Sequence, residues 1–133
     1  MKPITYEWLK AAWDDLLVIE SIIKNASLSN MVAFHAQQAI EKSFKAVLEE
    51  KKKETPIKSH DLLRLHQQVK QINDFQVDID LLRSVNEVYI DSRYPGDMGL
   101  LPYGKPSIED ANEFSILARQ IYDSVRHYLD KEV

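Results

Sequence analysis

All three glycines of the chain, Gly96, Gly99 and Gly104, fall between residues 95 and 106, together with three of its five prolines. Gly and Pro are the strongest local breakers of regular structure. Outside that stretch, Pro3 and Pro56, the backbone is therefore free to run in long helices. The apolar residues repeat at helical spacing, with residues three, four and seven apart sharing a face. Over residues 5–24 this stripe is Trp8, Leu9, Ala12, Leu16, Ile19 and Ile23. Residues 25–30 break it. Over 30–50 it is Ala33, Ala36, Ile40, Phe44 and Val47, the longest unbroken pattern in the chain.

Residues 51–58, KKKETPIK, hold a proline and a run of charges and are expected to form a solvated connection. Ser59 is positioned to cap a third, shorter helix carrying Leu62, Leu63, Val69 and Ile72. A fourth, from about residue 78, carries Leu81, Leu82, Val85, Val88 and Tyr89. Residues 91–106, DSRYPGDMGLLPYGKP, have no helical period, and a structureless loop of this length inside a compact domain is uncommon unless it has a function. Ser107 stands three residues before Asp110, a variant of the capping box, and opens a last helix with Ala111, Phe114, Ala118, Ile121, Val125 and Leu129 on one face. No stretch alternates like a strand. The pattern predicts an all-α protein, an antiparallel up-and-down bundle of about five helices.

At 133 residues the chain has the size of one domain, spanning residues 1–133. Its 17 basic against 21 acidic side chains give a formal charge of −4, so no whole-molecule positive field exists to hold nucleic acid, and double-stranded DNA is not an expected partner. Any nucleotide or RNA site must be local. Cysteine is absent, which excludes disulfides, thiolate catalysis and Cys-ligated metals and fits a reducing compartment. The N-terminal residues carry acids within their apolar stretch, unlike a signal peptide, and no run has the length needed to cross a bilayer. A cytoplasmic protein without a membrane partner is expected.

Opposite the apolar stripe of the second helix lie Phe34, His35, Gln38, Lys42 and Lys45. Three readings of this face are open: a further helix covers Phe34 while the Gln and Lys side chains are solvated, the face is a dimer seam, or it binds a ligand. The four histidines, His35, His60, His66 and His127, show no pairing at the spacing that places two metal ligands on one helical face, so no metal is expected. For His60, next to Asp61, a local hydrogen bond is expected. Lys51 to Lys53 are flanked by Glu49, Glu50 and Glu54, which cancel most of their field. The glycines follow no strand and fit no phosphate-loop fingerprint. Arg93, at the exit of the fourth helix beside Tyr94 and Pro95, carries more weight. Its guanidinium is suited to bidentate binding of a phosphate or carboxylate, with Tyr94 available for stacking, or to an ion pair with Asp97 that pins the loop.

WLKAAWDDL at 8–16, FHAQQAIEKSFKAVL at 34–48, SHDLLRL at 59–65 and YIDSRYP at 89–95, in that order, resemble the HEPN family (higher eukaryotes and prokaryotes nucleotide-binding) over nearly the whole chain. The resemblance implies a small helical bundle, commonly a homodimer, proposed to bind nucleotides and often encoded beside a minimal nucleotidyltransferase. Some branches are RNA-cleaving toxins that this partner neutralises. Their signature is an Arg followed, after four to six intervening residues, by a His, both brought to a dimer cleft for metal-independent cleavage. Here Arg93 stands in the corresponding place, but Met98, Gly99 and Leu100 occupy the positions where the His would fall.

The sequence therefore points to a non-catalytic module with no catalytic residue and no cofactor, binding a nucleotide or a protein partner in a toxin–antitoxin-like pair. The expected ligand-binding residues are Arg93, Tyr94, Gln38, Lys42 and His35, and Phe34 and Lys45 are expected at a homodimer interface. The alternative is a ribonuclease with an atypical site, in which the fold brings His35 or His60 to Arg93.

Overall fold

A computed structural model describes residues 1–51, 59–93 and 105–131, with the backbone alone over 89–93. The described residues form five α-helices, α1 (Pro3–Ile22), α2 (Ser29–Lys51), α3 (Leu62–Lys70), α4 (Ile79–Arg93) and α5 (Ile108–Lys131), and no strand. The protein is an all-α helical bundle.

α2 is its axis, in contact with each of the other four helices. Ala33, Ala36, Ala39 and Ala46 are fully buried, and their small side chains let neighbouring backbones approach closely. Between them Ile40 and Phe44 are also fully enclosed; burial of side chains of this size stabilises the fold by roughly 1.5–3 kcal/mol each. The apolar stripes expected on α1 and α5 supply the walls, with Leu9, Ala12, Leu16 and Ile19 facing Phe114, Ala118, Ile121, Val125 and Leu129 across the core.

α1 runs antiparallel to α2, and the joint at their ends shows how. Lys2 caps α1 in an extended conformation without a side-chain bond to the first turn, and Pro3 follows, where its missing N–H costs nothing. Glu50, at the far end of α2, takes over the capping. Its Oε1 accepts from the Lys2 backbone N–H at 2.8 Å and from Thr5 Oγ1 at 2.9 Å, while Lys2 Nζ donates to the Glu49 carbonyl at 2.9 Å. These donors, the Lys2 N–H first, hold the Glu50 carboxyl below the ordinary carboxylate range.

The break between α1 and α2 is a short 3-10 turn, Ala26–Leu28, whose Asn25 side chain accepts from the Ser27 N–H. Ser107 caps α5 as expected, its Oγ accepting from the Asp110 N–H at 3.0 Å. Two details differ from the sequence reading. The cap of α3 is Asp61 and not Ser59: the Asp61 carboxylate accepts from the Leu63 and Arg64 N–H groups, and Ser59 Oγ instead accepts from the Asp61 N–H. The other concerns α4, which continues through Arg93, so the segment after it begins later than residue 91. Ile72 lies past the end of α3 yet still packs on the core. Tyr94, Asp97, most of the 91–106 stretch and Lys52 to Lys58 lie outside the described residues, as do the side chains of Tyr89 and Arg93.

Candidate functional site

The side of α2 opposite its apolar stripe is not a solvated face. Two clusters of charged and polar groups close over it. The first joins α2 to α1, where Asp15 interrupts the apolar stripe and is itself buried at 7% exposure. Its Oδ1 lies 2.8 Å from His35 Nδ1 and its Oδ2 accepts from Lys42 Nζ at 2.8 Å. His35 and Lys42 stand seven residues apart, two helical turns, so one carboxylate from α1 reaches both. A carboxylate only accepts, so His35 donates from Nδ1, which in the neutral ring leaves the lone pair on Nε2. The Phe34 ring meets that imidazole edge-on at 5.2 Å.

The second cluster joins α2 to the segment leading into α3. Glu41, 3% exposed, accepts from Lys45 Nζ at 2.9 Å, from His60 Nδ1 at 2.9 Å and from Gln37 Nε2 at 3.2 Å. Gln37, fully buried, also donates to the His60 carbonyl at 2.9 Å and accepts from Gln38 Nε2 at 2.7 Å. Lys45 Nζ sits 5.3 Å from the centre of the Trp8 ring, so α1 contributes an aromatic face to the same ammonium. Each carboxylate thus has one lysine and one imidazole. Asn86 on α4 completes this corner, its Oδ1 accepting from the Leu62 N–H at 3.0 Å and its Nδ2 donating to Asp61 at 3.3 Å.

Of the residues singled out from sequence, His35, Gln38, Lys42, Lys45 and Phe34 do share one side of α2. Gln38 and Lys42 are half-buried and Lys45 is buried, and all three are bonded within the fold. Arg93 is the last residue of α4, and Tyr94 lies outside the described residues. His60 Nδ1 bonds Glu41, 19 residues away. His66 packs against Phe44, and burial, with Lys70 adding to it, pushes its imidazole below the usual histidine value. Among the described residues no group of three His, Cys, Asp or Glu side chains is placed to hold a metal ion, and no helix is long and apolar enough to cross a membrane.

With this geometry in place, comparison with known proteins is decisive on one point: a family model described as HEPN domain matches residues 5–128. The chain belongs to the HEPN family. No curated protein and no solved structure matches it. The matched span takes in both α2 clusters, α4 with Arg93, and all but the last residues of α5.

Sequence reasoning passed over Asp15, Gln37 and Glu41. The signals were present. Asp15 is an acid inside an apolar stripe, and Glu41 stands four residues before Lys45, the spacing and order of a favourable helical ion pair. A groove also escaped it, an open one of about 490 Å³ between α1 and α5 lined by Tyr6, Glu7, Lys10, Trp13, Tyr122 and Arg126.

Proposed function

We propose that this HEPN domain is a non-catalytic binding module that takes a nucleotide or a protein partner, works as a homodimer, and pairs with a minimal nucleotidyltransferase in a toxin–antitoxin-like system. The observation that carries the non-catalytic part is the condition of the histidines that would have to replace the one missing after Arg93. His35 and His60 belong to separate clusters, and each is held at Nδ1 by a buried carboxylate. Those carboxylates are matched in charge by Lys42 and Lys45. In a catalytic dyad the carboxylate is left to stabilise an imidazolium as the proton is taken up; here a lysine has that position. The clusters tie α1 and the approach to α3 onto α2, which is a structural task.

Gln38, Lys42 and His35 on α2, with Arg93 at the end of α4 and Tyr94 after it, are the surface offered to the partner or to an RNA, and Phe34 and Lys45 are proposed to lie at or beneath the homodimer seam. The ribonuclease alternative draws on the His35 to Asp15 hydrogen bond, since an oriented imidazole is also what a general base requires. Calorimetric titration of the purified protein with ATP and GTP tests the binding reading. Saturable heat with either supports nucleotide binding. No heat with both, together with no complex on gel filtration with a nucleotidyltransferase encoded beside it, refutes the module.

A further inference from the structure

The groove between α1 and α5 has a composition the core does not require. Trp13 from α1 and Tyr122 from α5 lean on one another, centroids 5.5 Å apart at 40°. The guanidinium of Arg119 lies 4.9 Å from the Trp13 ring centre. Tyr6, one turn before Lys10 on the same helix, is 47% exposed beside them. Tyrosine left this open contributes little to folding, and its ring is free to stack on a planar ligand in the groove that Trp13 and Tyr122 also line. Lys10 and Arg126, the latter ion-paired with Asp130, stand on the two sides of the groove, and Glu7 is the one acid of its lining. Arg126 Nε donates to Asp130 at 3.3 Å, which uses one of the five N–H donors of the guanidinium.

A stacking wall, cations on both sides and a single carboxylate acceptor match the parts of one small molecule. The ring takes the wall, an anionic group takes Lys10 and Arg126, and Glu7 accepts from an amino group on the ring edge, as acidic side chains do from exocyclic amines of bases. The volume of about 490 Å³ lies in the range of small-ligand sites and suits one such molecule. We propose that this groove seats a purine mononucleotide, its base stacked on Tyr6 against the Trp13 and Tyr122 rings and its phosphate between Lys10 and Arg126. The proposal rests on the nucleotide-binding reading above and assigns the nucleotide to the α1–α5 side of the bundle, away from the α2 surface and Arg93.

The test is calorimetric titration with AMP and GMP of the parent protein and of Tyr6→Ala, Tyr6→Phe, Lys10→Glu and Arg93→Ala. Tyr6 and Lys10 are exposed, and unchanged melting by circular dichroism establishes that those variants fold. Base stacking on an aromatic side chain contributes about 1–3 kcal/mol, so Tyr6→Ala is expected to weaken binding at least fivefold while Tyr6→Phe retains it. Lys10→Glu is expected to weaken it at least as much. If the parent binds AMP or GMP and the groove variants bind equally well while Arg93→Ala does not, the groove assignment is overturned and the nucleotide-binding reading stands. If the parent binds neither, both fall.

Discussion

Replacing Glu41 with Gln changes one oxygen for an NH2 group and leaves the shape of the side chain intact. The Glu41 side chain is 5% exposed and that of Lys45 11%, with 2.9 Å between Nζ and Oε2. At an effective dielectric constant of about 20, unit charges at this distance attract by roughly 6 kcal/mol, most of which offsets the cost of taking both from water. Removing one partner leaves that desolvation uncompensated, which costs about 3–5 kcal/mol for a buried pair. The Trp8 face under the ammonium and the flexible lysine stem soften the loss. Glu41→Gln should therefore lose about 3 kcal/mol, a fall in Tm of roughly 10 °C for a chain of this size. Urea titrations followed by circular dichroism measure it, with an unchanged slope confirming that the variant still unfolds in one step. Lys45→Met and the Glu41→Gln, Lys45→Met double variant complete a cycle, in which the double variant should recover about 2 kcal/mol relative to additivity. A Glu41→Gln loss below about 1 kcal/mol with no coupling in the cycle would refute the reasoning, because the cluster would then behave as a solvated surface pair.

Three further outcomes are expected. Asp61→Ala should cost about 1–2 kcal/mol in urea titration, since it removes the α3 cap and one partner of Asn86; a change of a few tenths would assign the capping to Asn86 alone. Burial lowers the His66 imidazole in the folded protein, so the unfolded chain takes up its proton first. The stabilising contribution is complete above the ordinary histidine value of 6.5 and is lost as pH falls from there towards the depressed folded value. His66→Leu should flatten stability against pH across that window, and an unaltered slope would exclude His66 as its source. Phe34→Asp should bring the mass measured by light scattering to 15.4 kDa if Phe34 forms the homodimer seam, and a mass that stays dimeric removes it from that interface.

Much of the bundle was legible because apolar spacing is a local property of each helix. The stripes on α1, the core stripe of α2 and all of the α5 stripe lie where their period places them. Capping was harder: Ser59 and Asp61 are both competent caps two residues apart, and the choice was made by Asn86 from α4, which fixes the first turn of α3 through the Leu62 N–H and Asp61. The loop was begun at residue 91 because the stretch from 91 to 106 has no helical period, which a few terminal residues of a helix cannot show by themselves, and α4 runs on through Arg93. The α2 clusters illustrate the deeper limit. Periodicity groups His35, Gln38 and Lys42 on one side of a helix, but what lies across from them is a tertiary fact. Asp15 is 20 residues from His35, and Glu41 is 19 from His60. The α1–α5 groove was hidden for the same reason, since Tyr6 and Arg126 meet only through the packing of the first helix on the last.

Whether this HEPN module binds without cutting is decided by incubating the purified protein with a short single-stranded RNA and resolving the products on a denaturing gel. Intact RNA is expected at every time point, with the parent and the Arg93→Ala and His35→Ala variants indistinguishable. Cleavage by the parent that disappears in Arg93→Ala or His35→Ala would contradict it and place a working ribonuclease site on this bundle.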